Sequence, residues 1–124
     1  MILGIGTDIC DLDRIDHLIK SYGDRFLDRF FTEKEQEYFS RHSDKSPIIA
    51  GRFAAKEAVS KACGTGFRDN FTMKDIEITN DNLGKPTVSL SPQILAQFPN
   101  QEFLVSISHE KKYAVAFAIR QRLT

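Results

Sequence analysis

The apolar run of MILGIGTDI at the start of the chain, interrupted by Gly4 and Gly6, reads as a short buried strand, whose side chains point alternately to two faces. That alternation predicts Ile2, Gly4, Gly6 and Asp8 on one face and Leu3, Ile5, Thr7 and Ile9 on the other. Two glycines beside an aspartate leave room for another group to come close to the backbone. The period then lengthens. From Asp11 or Asp13, either suited to cap a helix, Ile15, Leu18, Ile19 and Tyr22 recur at helical spacing. Gly23-Asp24 breaks or bends this pattern ahead of Arg25 to Phe31. Thr32 and Glu35 form a T-x-x-E capping box, predicting a helix to about Arg41. After a polar loop at 42–46, the longest predicted helix runs from Pro47 or Ile48 to Cys63, stopped by Gly64 and Gly66.

The second half of the chain alternates again. Residues 75–79 and 87–90 read as strands around the turn chemistry of 80–86, and Ser91-Pro92 starts a short helix ending near Phe98. Residues 103–108 and 113–119 are two more strands, joined by His109 to Lys112. In the last of them Tyr113, Val115, Phe117 and Ile119 share one face. Ala114, Ala116 and Ala118 line the other, a small-residue surface fit for a closely approaching helix or subunit. Strand, helices, then an antiparallel set gives an α+β fold, a small antiparallel sheet packed with helices. No linker or repeat divides residues 1–124, so a single domain is expected.

Charge narrows the functional classes. The 17 basic and 17 acidic residues cancel, which argues against a nucleic-acid binder that neutralises phosphates. No apolar run reaches the ~20 residues of a membrane span, and no signal peptide precedes Ile2-Leu3, so no membrane association and a cytoplasmic location are expected. Cys10 and Cys63 lack CxxC spacing and imply no disulfide framework. The hydrophobic share, 41%, is low, which fits a small domain and equally one that completes its core against a partner subunit.

Candidate chemistry gathers on RFAAKEAVSKACGTG, residues 52–66. On a helical wheel Ala54, Ala55, Ala58, Val59, Ala62 and Cys63 fill one half. Glu57 and Lys61 fall just beyond one edge, Lys56 and Ser60 beyond the other. Glu57 and Lys61 alone read as an i,i+4 pair worth about 0.2–0.5 kcal/mol. Asp8 adds a second carboxylate, on the glycine-bearing face of a strand expected to be central. Two carboxylates from different elements suit magnesium, which takes one or two of them and fills its other positions with water and phosphate oxygens. Phosphate donors are at hand in Lys61, in the backbone N–H groups of the Gly64-Thr65-Gly66 turn and in Gly84-Lys85-Pro86; His109 ends the strand in SISHE. No Walker P-loop is present.

GIGTDICDLDRI at 4–15, FTEKE at 31–35, RFAAKEAVSKACGTG at 52–66, DIEI at 75–78, GKP at 84–86 and SISHEKKYAVA at 106–116 follow one another as in the holo-acyl-carrier-protein synthases, short bacterial phosphopantetheinyl transferases, which this chain therefore resembles nearly end to end. The resemblance implies transfer of 4'-phosphopantetheine from coenzyme A to a serine of apo-acyl carrier protein in fatty acid biosynthesis, releasing adenosine 3',5'-bisphosphate. By motif match Asp8 and Glu57 are the magnesium ligands and Lys61 lies near the pyrophosphate. Arg52, Gly64, Thr65, Gly66, Lys85, Pro86, Ser108 and His109 match segments that contact coenzyme A, the donor substrate. A homotrimer with sites between subunits is implied as well. The serine proton is expected to pass to a water placed by Glu57, because a carboxylate on a cation is a poor base. The carrier's acidic surface suggests a docking edge: if residues 14–29 stay helical, Arg14, Arg25 and Arg29 lie within about 60° beside Ile15, Leu18, Tyr22 and Phe26. A non-catalytic binding module and a magnesium-dependent phosphohydrolase are the competing readings.

Overall fold

Strand β1 (Ile2–Asp11) turns straight into helix α1 (Leu12–Tyr22) because the Asp11 carboxylate accepts a hydrogen bond from the N–H of Asp13 at 2.8 Å. Asp11 is thus the cap, and Asp13 lies in the first turn. The computed structural model, which describes residues 1–124, breaks the helix at Gly23, whose φ of 55° only glycine adopts freely. Helix α2 (Asp24–Phe30) follows as a separate element, so 14–29 is not one continuous helix. Helix α3 (Glu33–Ser40) starts with both halves of the expected Thr32–Glu35 capping box in place. Helix α4 (Ser46–Ala62) is the longest, and a 3₁₀ turn (Met73–Asp75) leads into β2 (Ile76–Asn80), β3 (Pro86–Leu90), α5 (Pro92–Leu95), β4 (Gln101–His109) and β5 (Tyr113–Arg122).

Three strands form one antiparallel sheet in the order β1-β5-β4, while β2 and β3 pair separately. The central strand is therefore β5, and β1, expected to be central, lies on an edge: β5 is the hairpin partner of β4 and keeps its other edge free for the chain's first strand. The fold is α+β, as the element order implies.

Helix α4 lies across the inner face of this sheet. Its Ala54, Ala55, Ala58, Val59 and Ala62 are buried against Ala114, Ala116 and Ala118 of β5, within one cluster of 21 buried residues. A Cβ on Gly4 would overlap the carbonyl of Ala62, and one on Gly6 that of Ala58. What approaches the two glycines is the backbone of α4, so the small residues on both strands serve close helix packing and no ligand. The alanine face is likewise consumed inside the chain and is not a subunit surface. A shift of register between Ile2 and Gly4 sets Ile2 opposite Gln121 and Gly4 opposite Arg120, which moves Ile2 off the glycine face. On the outer face Ile5, Ile9, Leu104, Tyr113, Val115 and Phe117 stay 37–62% exposed, a contiguous apolar patch on a sheet with only one covered side.

Candidate active site

Asp8 follows Gly4 and Gly6 on the inner face, opposite Ala116, and so points to the side where α4 passes. It meets Glu57 there: both line a cleft of about 430 Å³ with Cys10, Arg14, Phe53 and Tyr113. Lys61 crosses from α4 to β1, donating to the carbonyl of Thr7 at 2.9 Å and to Asp8 Oδ1 at 3.2 Å. The i,i+4 pairing of Glu57 with Lys61 therefore gives way to a bridge between elements. Partial burial raises the pKa of Glu57, the charge of Asp8 raises it further, and Lys61 and Arg14 pull it back. The carboxylate of Asp8 is thus near enough to resist ionisation of its neighbour. Two carboxylates in one cleft are a donor set that fits a hard cation completing its shell with water and phosphate.

Arg14 belongs to two hollows. One is the Asp8–Glu57 cleft; the other is a groove of about 490 Å³ lined by Leu18, Tyr22, Arg25, Phe26, Arg29, Phe30 and Phe53. The three arginines do border one apolar groove, but through the bend at Gly23 and not along one helix face, and Ile15 is buried beneath it. Phe53 lines both spaces because it sits four residues before Glu57, one turn away on the same face of α4. That spacing was readable from the chain, and Phe53 was missed. A third hollow, with Phe30, Phe67, Phe71 and Met73 among its walls, touches Glu57 from the other side.

The remaining residues divide. Arg52, Pro86 and His109 come together around a cavity of about 180 Å³ with Tyr38, Asn80 and Gly84. Arg52 is 6% exposed, holds Asn80 Oδ1 and lies 5.0 Å from the Tyr38 ring centre, with its Nε unpaired. Arg52 and Glu57 are five residues apart on α4, roughly 140° around it, so this cavity and the Asp8–Glu57 cleft open on different sides of the helix. Ser108 is not part of the cavity: it faces outward opposite Val115, while His109 faces inward opposite Ala114. Lys85 lines a separate hollow beyond Pro86. In the Gly64-Thr65-Gly66 turn the N–H of Gly64 bonds to Lys61 O and that of Gly66 to Ser60 O, so these two groups close the helix and are not exposed as donors.

Lys56, placed on the polar edge of α4 by the helical wheel, is fully buried. Its Nζ pairs with Glu35 Oε1 at 2.5 Å and donates to the carbonyls of Phe30 at 2.8 Å and Met73 at 3.0 Å. No local spacing could have shown this, because its partners are 17–26 residues away.

The family model described as the 4'-phosphopantetheinyl transferase superfamily matches residues 4–118. The holo-(acyl-carrier-protein) synthase of Protochlamydia amoebophila is 51% identical over 96% of this chain and 98% of its own length. The crystal structure of the Neisseria meningitidis holo-(acyl-carrier-protein) synthase superposes with a TM-score of 0.90 at 38% identity, covering 98% of this chain and 100% of that one. The Bacillus anthracis enzyme, crystallised in complex with CoA (3',5'-ADP), gives 0.84 at 38% identity over 100% and 99%. The chain belongs to the 4'-phosphopantetheinyl transferase superfamily and, within it, to the holo-acyl-carrier-protein synthases.

Proposed function

We propose that residues 1–124 act as one transferase domain that moves 4'-phosphopantetheine from coenzyme A to a serine of apo-acyl carrier protein, leaving adenosine 3',5'-bisphosphate. The observation that carries this reading is the meeting of Asp8 and Glu57 in a cleft bridged by Lys61 and sharing the wall residues Arg14 and Phe53 with an arginine-bordered groove. Asp8 and Glu57 would hold magnesium, which when bound supplies Lewis-acid polarisation of the pyrophosphate. The nucleophile belongs to the carrier, so the chain needs no activated serine or thiol of its own. Arg14, Arg25 and Arg29 attract an acidic carrier and seat it beside the apolar groove. Glu57, in the adjoining cleft that shares Arg14 and Phe53 with that groove, aligns the incoming serine hydroxyl, and Lys61 offsets the negative charge that grows on the departing bisphosphate.

Coenzyme A needs contacts on both sides of α4 that one chain does not bring together. The proposal is therefore an oligomer, the trimer that the resemblance implies, in which the Arg52–Pro86–His109 cavity of one subunit completes the Asp8–Glu57–Lys61 cleft of the next. The outer sheet patch of Ile5, Ile9, Val115 and Phe117 supplies an apolar surface for that contact. Free, buried Cys10 and Cys63 suit the reducing cytoplasm, and no helix is long and apolar enough to cross a membrane. Mixing the protein with coenzyme A, magnesium and apo-carrier and weighing the carrier tests the reading. A phosphopantetheine mass gain is expected; coenzyme A cleavage without it means a hydrolase, and neither means a binding module.

A further inference from the structure

Lys56 has no part in the chemistry above, yet it is among the most completely engaged side chains in the molecule. All three of its N–H bonds have acceptors: Glu35 Oε1, Phe30 O and Met73 O. Its ammonium also lies 4.9 Å from the centre of the Phe31 ring. Glu35, equally buried, accepts from the N–H of Thr32 at 2.9 Å and from that of Ile78 at 2.8 Å, so neither charge is left unsatisfied.

Stability alone does not demand such a pair. Taking two charges out of water is costly, and packed apolar side chains of similar volume often replace a buried ion pair without loss. An apolar side chain cannot, however, hold two carbonyls from separate segments at a fixed distance from a helix. The carbonyls that Lys56 holds are those of Phe30, the last residue of α2, and Met73, the first of the 3₁₀ turn. Both residues wall the hollow into which Glu57 opens. Lys56 immediately precedes Glu57, so fixing it inward fixes the rotation of α4 that turns Glu57 about 100° away, toward the cleft.

We infer that Lys56 is a positioning residue for the transfer reaction: its bonds to Phe30, Met73 and Glu35 set the direction of Glu57 and the spacing of the walls beside it. This rests on the transferase reading.

The test compares wild type with Glu35→Gln, Glu35→Gln/Lys56→Met and Glu35→Gln/Lys56→Gln. It measures thermal unfolding, Mn²⁺ affinity by electron paramagnetic resonance without substrate, kcat, and KM for coenzyme A. Glu35→Gln keeps one acceptor for Lys56 but leaves its charge unpaired and turns an amide N–H toward another donor, so it should unfold at a lower temperature; it serves as the reference for the two double variants. The Met double variant, which leaves no buried charge, should fold, bind Mn²⁺ more weakly and lose on the order of 10²-fold in kcat. Its KM for coenzyme A should rise by less than kcat falls, because the contacts in the Arg52 cavity on the other side of α4 are left in place. The Gln double variant, which can still donate to carbonyls, should recover part of the loss. A folded Met double variant with wild-type kcat and Mn²⁺ affinity overturns the assignment, as does an equal loss in every parameter. If the Met double variant does not fold, the Gln double variant against Glu35→Gln decides by the same criteria. Failure of both to fold makes Lys56 a stability element and also overturns it. A wild-type chain that binds Mn²⁺ but transfers nothing would sink the transferase reading alone and leave the Mn²⁺ comparison to judge Lys56.

Discussion

Glu57 and Gln have nearly the same shape, so Glu57→Gln removes the charge that would hold a cation and leaves the packing of α4 intact. Loss of a preorganised charge in a closed site typically costs about 10²–10³-fold in turnover, and kcat for carrier modification should fall by that much with thermal stability unchanged. The thiols give a second residue-level outcome. Burial pushes Cys63 up from 9.0 to about 11, opposed by Arg120, and burial with the charge of Asp8 does the same to Cys10. Each thiol binds its proton more tightly folded than unfolded. Raising the pH from 9.0 toward about 11 therefore favours the unfolded thiolate, and stability contributed below that window is lost across it. Urea midpoints measured from pH ~8 to ~11 should fall more steeply for wild type than for a Cys10→Ala/Cys63→Ala variant.

At the scale of elements, α4 is the organising piece. It places Glu57 and Lys61 toward β1, Arg52 toward β2 and β4, and Lys56 toward the junction of α2 and α3. The bend at Gly23 folds α2 back so that Arg25 and Arg29 rim the same groove as Arg14. Because Arg14 also lines the Asp8–Glu57 cleft, its substitution confounds docking with chemistry, whereas Arg25 lines only the groove. Arg25→Glu should raise KM for the carrier about tenfold, fading at high salt as charge steering is screened, with KM for coenzyme A unchanged. Steady-state kinetics at two ionic strengths reads both.

At the scale of the whole molecule, the distribution of site residues over two sides of α4 makes a prediction about assembly. If one site is built from two subunits, Glu57→Gln and Arg52→Ala chains each lack a different half. Unfolded together in equal amounts and refolded, they should regain activity, with about a quarter of all sites combining two intact halves. Sites complete within one chain would regain none. The coverage of 98% and 100% shared with the Neisseria meningitidis structure shows that the segments carrying Asp8, Glu57 and Arg52 belong to a fold common to both proteins.

The sequence alone determined what depends on near neighbours. Caps at Asp11 and Thr32, the helix ending at Gly64, strand alternation from Gly4 and the α+β order are consequences of hydrogen bonds and side-chain directions within a few residues. The roles of Asp8, Glu57 and Lys61 were legible in a different way, through the resemblance of the GIGTDI and RFAAKEAVSKACGTG segments to a known family. Only the tertiary structure decided that α4 fills the space above Gly4 and Gly6, that β1 is an edge, that Lys56 turns inward, and that Arg52 and Glu57 face apart. Those outcomes depend on which surfaces bury each other, a sum over residues distant in the chain that no local period encodes.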